Sequence, residues 1–180
     1  GMREQLTFYP EPVSGITPAP ATSWRDGFVF AKDKGGDEFA QLYWFDAATR
    51  STTLLTDGGR SQNGGATISR DGGLMAYSST ARNGTDRDVW VRDTRTGKTR
   101  LLVDAGGGWR AMDFSPDASE LLVMRYVSAA ESHPGVVDMA TGKLTLLPVD
   151  GGKAAFGGFA FAPGGKGVYY ISDEPVPGKN

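Results

Sequence analysis

The sequence predicts an all-β protein, a β-propeller of four-stranded antiparallel blades, because three markers recur with one period of about 46 residues. A D-x-x-T turn recurs at spacings of 47 and 45 residues, and an S-x-D-G-like turn recurs at 46 and 47. A leucine pair follows each D-x-x-T turn and keeps the same step. The markers begin at Asp46, Asp93 and Asp138, at Ser69, Ser115 and Ala162, and at Leu54, Leu101 and Leu146.

The composition supports this fold class. The chain has 26 glycines and 10 prolines, with 9 Phe, 6 Tyr and 4 Trp. Glycine supplies the positive φ angles of tight turns, and aromatic side chains fill pleated sheet faces. Many short strands joined by turns are therefore expected, in a chain long enough for an ordinary core.

Each repeat unit contains signals for four strands, A to D. Strand A ends at the S-x-D-G turn, and strand B follows as an apolar run such as residues 74–77. A hairpin such as Asn83-Gly84 leads into strand C, and the D-x-x-T turn leads into strand D, which holds the leucine pair. A turn aspartate can accept hydrogen bonds from N–H groups two residues on. We therefore interpret the aspartates of both turns as structural: Asp46, Asp93, Asp138, Asp71 and Asp117.

The repeat divides the chain into about four blade equivalents: one leading strand, three full blades and half a blade. A leading outer strand at residues 3–8 and a linker are predicted within residues 1–19. A partial blade of two strands is predicted at the other end, where Pro175 and Pro177 stop the pattern. The predicted units are a leading segment at 1–19, blade 1 at 20–64, blade 2 at 65–109, blade 3 at 110–152 and the partial blade at 153–180.

Two arrangements of these blades remain open. The chain either closes as a four-bladed ring, with residues 3–8 completing the last blade, or forms an arc of a larger ring. We prefer the arc. Because an arc exposes two sheet edges, we expect another chain to cover them, and a homodimer of two arcs would complete an eight-bladed ring. A β-sandwich is the alternative fold, but its strands need not repeat in sequence.

Two units depart from the pattern. In blade 3, strand C reads Ser132-His133-Pro134-Gly135, and because proline cannot donate to a central ladder we expect a short or distorted strand. In the last unit, Ala162 and Gly164 replace the serine and aspartate of the S-x-D-G turn. That turn is expected to lose its side-chain hydrogen bonds.

Charge and residue types exclude several classes of function. The formal net charge of −2 gives no field that would recruit nucleic acid or an anionic membrane. Five arginines and one lysine lie within residues 82–100, but alternation along a strand accounts for them better than nucleic-acid binding. With no cysteine and one histidine, we predict no metal site and no cofactor. No apolar run is long enough to span a bilayer, and the cellular compartment stays undetermined.

The order of several segments resembles the N-terminal propeller of bacterial prolyl oligopeptidase family serine peptidases. The segments are QLTFYPEPVSG, GGDEFAQLYWFD, LLTDGGRSQNGG, MAYSSTARNGTDRDVWVRD, DFSPD and VVDMATGKLTLL, and they cover nearly the whole chain. The single blade motifs are also similar to those of TolB-like propellers. The resemblance implies a propeller that sits over a C-terminal hydrolase domain and limits entry to short peptides.

The sequence contains no recognisable catalytic centre. An α/β-hydrolase nucleophile stands in a G-x-S-x-G turn, and no such string occurs. The only histidine, His133, lies beside Pro134 without an identifiable partner for a Ser-His-Asp site. In the architecture that the resemblance implies, the loop between strands B and C can face the substrate. We therefore take Tyr126, Glu131, Ser132 and His133 as substrate-facing candidates, with Glu131 able to hold a peptide N-terminus.

Two functions are consistent with this sequence. The first is a partial propeller of a prolyl oligopeptidase family peptidase, which gates or orients peptide substrates for a hydrolase domain. The second is a stand-alone TolB-like propeller that binds a protein partner through the loops of one face.

Overall fold

Fourteen β-strands form the computed structural model, which describes residues 4–148 and 153–173. They make three four-stranded sheets and one two-stranded sheet, and every strand pair is antiparallel. The first sheet holds β1 (Ser14–Pro18), β2 (Gly27–Lys32), β3 (Gln41–Asp46) and β4 (Thr52–Leu54). The second holds β5 (Asn63–Ile68), β6 (Leu74–Ser79), β7 (Asp88–Asp93) and β8 (Thr99–Val103). The third holds β9 (Gly108–Phe114), β10 (Glu120–Ser128), β11 (Glu131–Asp138) and β12 (Leu144–Leu146), and the fourth holds β13 (Phe156–Phe161) and β14 (Val168–Ser172).

Each sheet is a meander whose strand order follows the chain, as in a propeller blade. The first strand of each blade contacts that of the next, so that β1, β5, β9 and β13 form the inner side of an arc. Among the strands described, no comparable contact joins β13 or β14 to the first sheet, and the arc is open. The prediction of a partial β-propeller with about four blades is confirmed.

A separate apolar core fills each gap between neighbouring blades. Blades 1 and 2 are joined by side chains that include Trp44 and Met75, and blades 2 and 3 by a cluster around Trp109. Leu122 and Phe159 belong to the cluster between blade 3 and the two-stranded sheet. Burying one large apolar side chain contributes roughly 1.5–3 kcal/mol, so blade stacking is a main source of stability.

The leading strand predicted at residues 3–8 is not found, since residues 4–8 are not in a strand. The first blade begins instead at Ser14, and β1 provides its strand A. A closing strand D needs a strand C beside it, and the last described sheet contains only two strands. The segment lies against blade 1, where Glu4 accepts a hydrogen bond from Arg50 Nη2 at 2.5 Å, and the ring of the following Tyr9 lies 5.9 Å from that of Phe30.

Strand C of blade 3 is neither short nor distorted, contrary to the prediction. Strand β11 has eight residues and pairs with both β10 and β12. The carbonyl of Pro134 accepts a hydrogen bond from Leu147 N at 2.9 Å, just beyond the end of β12. In an antiparallel strand, the N–H and C=O groups of one residue point to the same neighbouring strand. The nitrogen of Pro134, which has no hydrogen to donate, therefore points towards the residues after β12 and not towards β10. The ladder between β10 and β11 therefore continues through Pro134, and its register shifts only between Tyr126 and Ser128.

The last unit forms its A–B turn without the serine and aspartate of the other blades. Ala162 N donates to Gly167 O at 2.8 Å, and Gly165 N donates to Ala162 O at 2.8 Å. Gly165 has a φ of 73°, which suits glycine at this turn. The two predicted strands of this unit are present as β13 and β14. The predicted stop at Pro175 and Pro177, and residues 149–152, lie outside the described residues.

Candidate functional site

The turns of the blades form two rims. The A–B and C–D turns share one edge of each sheet, which we call the lower rim: residues 23–26, 46–50, 69–73, 93–97, 115–119 and 138–142. Backbone hydrogen bonds join the two turns within a blade, as from Thr94 N to Gly73 O at 2.9 Å and from Met139 N to Ser119 O at 2.9 Å. The opposite edge, which we call the upper rim, holds the B–C hairpins and the segments that lead from one blade to the next, among them 55–62, 80–87, 104–107 and 129–130.

On the lower rim, each C–D aspartate binds the backbone of its own turn. Thr49 N donates to Asp46 Oδ1 at 2.8 Å, and Asp93 and Asp138 accept the corresponding bond from the threonine three residues on at 2.7 Å. These backbone donors lower the pKa of all three carboxyls.

The A–B turn aspartates use a serine hydroxyl in addition. Ser69 Oγ donates to Asp71 at 2.6 Å and accepts from Leu74 N at 2.9 Å, and Ser115 repeats both bonds in blade 3. The hydroxyls of Ser119 and Ser115 lower the pKa of Asp117 to about 2. All five predicted turn aspartates therefore hold local turn geometry.

The structure places the four substrate-facing candidates on strands and not on a long loop. Strands β10 and β11 are joined by only two residues, Ala129 and Ala130. Tyr126 pairs with Ser132, and Glu131 lies beyond a bulge in β10. Since neighbouring residues of a strand point to opposite faces, Tyr126 and Ser132 face one side and Glu131 and His133 the other. The hairpin thus does not bring the four side chains into one site.

Ser132 lies between blade 3 and the last sheet. It is buried, its N–H donates to Ala154 O at 2.9 Å, and its hydroxyl oxygen accepts from Phe156 N at 2.8 Å. These bonds tie strand C to the start of the next blade. Its position is that of a blade-linking residue.

Glu131 is already paired with two basic side chains. Lys153 Nζ lies 3.0 Å from Oε2 of Glu131, and Nε2 of His133 lies 3.1 Å from Oε1. The hydrogen bond from Lys153 is the main reason why the pKa of Glu131 lies below its usual value. A peptide ammonium group at Glu131 would have to compete with Lys153.

A cavity at the upper rim is lined by Arg87, one of the basic residues of segment 82–100, and by Arg110, which sequence analysis did not consider. The cavity has a volume of about 320 Å³ and is lined by Gly64, Gly65, Ser78, Arg87 and Arg110. It lies where the inner strands of blades 2 and 3 meet. A comparison of equivalent positions in the repeat could have found both arginines, because other blades have small residues there.

The two arginines are held in different ways. The Nη2 atom of Arg87 donates to Oε1 of Gln62 at 2.7 Å. The backbone of Arg87 also bonds to blade 3, donating to Gly107 O and accepting from Trp109 N, each at 2.9 Å. The guanidinium of Arg110 lies 5.1 Å from the ring centroid of Tyr126, a cation–π arrangement. The side chain of Arg110 thus lies on the face of blade 3 that it shares with Tyr126, opposite to Trp109.

Most other basic side chains of residues 82–100 bond within the chain. Arg82 donates to both carboxylate oxygens of the fully buried Asp88, at 2.7 and 3.0 Å, and to Asp86 at 3.1 Å. Arg92 donates to Gly97 O at 2.8 Å, and Arg100 to Met139 O at 2.7 Å. This segment is built into blade 2 and its contacts with blade 3.

Neither a metal cluster nor a membrane-spanning helix was found within residues 4–148 and 153–173. No group of three or more His, Asp or Glu side chains is arranged to hold a metal ion in those ranges. No helix there is long and apolar enough to cross a bilayer.

Comparisons with known proteins support the fold. No family model matches the chain, and no curated protein matches it in sequence. Among solved structures, TolB from Acinetobacter baumannii matches with a TM-score of 0.68 at 15% identity, over 97% of this chain and 41% of that one. A putative TolB from Agrobacterium tumefaciens matches with a TM-score of 0.65 at 20% identity, over 92% of this chain and 55% of that one. A structure from a study of two prolyl endopeptidases matches with a TM-score of 0.64 at 16% identity, over 90% of this chain and 26% of that one.

These matches bear on the fold, and the chain spans less than two thirds of each of the three solved chains. Both groups of propellers that the sequence resembles are present among its structural neighbours. The chain therefore folds as part of a β-propeller like those of TolB and prolyl endopeptidase structures.

Proposed function

We propose that this chain is the part of a prolyl oligopeptidase family propeller that orients peptide substrates, without cleaving bonds itself. The observation that carries the proposal is the exposed ring of Tyr126 at the upper rim, with the guanidinium of Arg110 5.1 Å from its centroid. The fold agrees with it, because 90% of the chain superimposes on a prolyl endopeptidase structure.

The chemistry of this rim suits a short peptide. Tyr126 is 44% exposed and offers an aromatic surface for apolar side chains. The guanidinium groups of Arg87 and Arg110 offer hydrogen-bond donors to carbonyl or carboxylate oxygens, whereas the Ser78 hydroxyl already donates to Trp109 O at 2.9 Å. A cavity of about 320 Å³ lies at the small end of ligand pockets, which favours one end of a peptide over a folded surface.

The test is binding of peptides of about six residues, labelled at the N-terminus, to the purified chain by fluorescence anisotropy. We expect saturable binding, and mass spectrometry should find the peptides intact after incubation. Tyr126→Ala should weaken binding at least about fivefold, since it removes a stacking surface. Tyr170→Ala is the matched control, because Tyr170 is similarly exposed but lies on β14. Absence of saturable binding, or an equal effect of both variants, would overturn the proposal.

A second candidate is a TolB-like module that binds a folded protein. The observation that favours it is the match to TolB over 97% of this chain. The two candidates differ in how they treat ligand size. A peptide-orienting propeller should bind a peptide when it is free but not when it is embedded in a folded carrier protein. An interaction module should bind the carrier protein at least as tightly as the free peptide.

A further inference from the structure

Blade 1 has one flank that no other described blade covers. Its strands β2 and β3 send Val29 and Trp44 into the cluster shared with blade 2. Because neighbouring residues of a strand point to opposite faces, the aromatic side chains between them lie on the other flank. We call this surface the first flank, and it carries two stacked pairs, with centroids 4.8 and 5.5 Å apart: Phe28 with Phe45 and Phe30 with Tyr43.

The leading segment covers the first flank in place of a blade. We call residues 4–12 the cap. The hydroxyl of Tyr9 donates to Thr52 Oγ1 at 3.1 Å, beside the ring contact with Phe30. Lys32 Nζ lies 4.9 Å from the centroid of the Tyr9 ring and 3.6 Å from Oε2 of Glu11. Phe30 consequently has no exposed surface, although no neighbouring blade packs on it.

The cap is held unevenly along its length. The side chains of Glu11 and Lys32 are mostly buried, whereas Glu4 and its partner Arg50 are exposed, and exposed ion pairs contribute little. A cavity of about 380 Å³ lies between the Glu4 end of the cap and the first flank, with Leu6 among its lining residues. The cap therefore depends mainly on Tyr9 and Glu11, and its other end is packed loosely.

The other end of the arc carries an uncovered apolar flank. The ring of Tyr170 faces blade 3, with centroids 5.5 and 5.7 Å from those of Phe156 and Phe159 in the cluster with that blade. Tyr169 and Ile171 point to the opposite side of β14, and they are 64% and 74% exposed. We call this side of the last sheet the last flank.

The repeat makes the two flanks complementary in kind. At each of the three junctions in the arc, the flank of one blade that faces forward along the chain packs on the flank of the next blade that faces backward. The first flank faces backward and the last flank faces forward, so each resembles the surface that the other would meet within an arc. Such a pair of surfaces forms a head-to-tail contact between two copies.

We infer that the first flank is a docking surface for the last flank of a second copy, and that the cap holds this surface closed. The inference concerns self-association and does not rest on the proposed peptide binding. A second copy can reach the aromatic side chains of the first flank only when Tyr9 leaves Phe30. Association of the wild-type chain is therefore weak, and a loosened cap strengthens it.

The experiment measures self-association of the full chain by sedimentation equilibrium. Tyr9→Ala removes the ring contact with Phe30 and the bond to Thr52, and it should lower the dissociation constant at least about tenfold relative to the wild type. Phe8→Ala is the matched control, because it removes the neighbouring aromatic ring of the cap, which is 77% exposed, and it should associate like the wild type. An unchanged dissociation constant for Tyr9→Ala, or equal effects of both variants, would overturn the inference.

A second variant identifies the surface that docks. Ile171→Lys places a charge on the last flank, where burial against aromatic side chains would be costly, so adding it to Tyr9→Ala should return association to the wild-type level. Association that persists in the double variant would mean that first flanks pair with each other or that the chain aggregates, and either result would overturn the inference. If circular dichroism shows that Tyr9→Ala is unfolded, Glu11→Gln loosens the cap through Lys32 alone. Glu11→Gln should also strengthen association, again only with Ile171 intact, and no change would contradict the role of the cap.

Discussion

The lower and upper rims of this propeller are built on opposite principles. On the lower rim the same aspartate closes the same turn in successive blades, with Asp46, Asp93 and Asp138 each bound to the N–H three residues on. On the upper rim each blade holds its edge with different side chains. The difference teaches that the repeat specifies the fold at one rim and leaves the other rim free to vary.

The first residue of strand C illustrates the variation. It is Gln41 in blade 1, where the side-chain amide donates to Gly59 O at 3.1 Å and Ser61 O at 3.0 Å. In blade 2 the equivalent residue is Asp88, which accepts two bonds from Arg82. One backbone position thus supports an amide network and a buried ion pair in neighbouring blades.

The largest loss of stability is expected at Asp88. Asp88→Ala removes the acceptor for two Arg82 hydrogen bonds in a position with no exposed surface, so the free energy of unfolding should fall by about 2–3 kcal/mol. The matched control is Asp104→Ala in the same blade, where the side chain is exposed and the change should stay within about 0.5 kcal/mol. Urea unfolding followed by tryptophan fluorescence measures both values. Equal losses at the two positions would show that the buried pair does not hold this hairpin.

A smaller loss is expected at the lower rim. Ser69→Ala removes a buried hydroxyl that bonds to Asp71 and Leu74 N, so the free energy of unfolding should fall by about 1–2 kcal/mol. Ser115→Ala should cost the same within error, because Ser115 makes the same two bonds. Urea unfolding of both variants tests whether the rim is uniform. A large difference between them would contradict the comparison of the rims.

The lower rim should also make the protein sensitive to acid. The pKa of Asp117 is lowered from 3.8 to about 2, so the folded state binds this proton less readily than the unfolded state. The resulting stabilisation is present above about pH 4 and is lost as the pH falls through 2. The melting temperature, followed by circular dichroism between pH 5 and pH 2, should fall less steeply for Asp117→Asn than for the wild type. Parallel curves would contradict the assignment.

The repeat made most of the fold predictable. The three sequence markers recur with one period and so predicted the four-stranded blades. The structural role of the turn aspartates was predictable because an Asp side chain has few local ways to form a hydrogen bond with its own backbone. The absence of a strand at residues 4–8 could not be predicted from the local pattern, since a strand D forms only beside a strand C. Pro134 misled the prediction for β11 because the sequence does not indicate which neighbouring strand its nitrogen faces.

The candidate site was less predictable for a physical reason. Tyr126 was identified, but Arg87 and Arg110 are 23 residues apart in sequence and line one cavity only because blades 2 and 3 pack side by side. Ser132 was taken for a loop residue, although it is buried and bonded to the next blade. Contacts between blades depend on how neighbouring blades pack, and the sequence repeat describes only the strands and turns within one blade.

The most direct test of this account combines stability and peptide affinity in two variants, one from each rim. Ser69→Ala should lose about 1–2 kcal/mol of stability and keep the wild-type affinity for the labelled peptide of about six residues at a temperature where both proteins are folded. Tyr126→Ala should lose less than about 0.5 kcal/mol and weaken that affinity at least about fivefold. If Tyr126→Ala destabilises the chain as much as Ser69→Ala and leaves the affinity unchanged, the upper rim is structural like the lower rim, and the central claim is wrong.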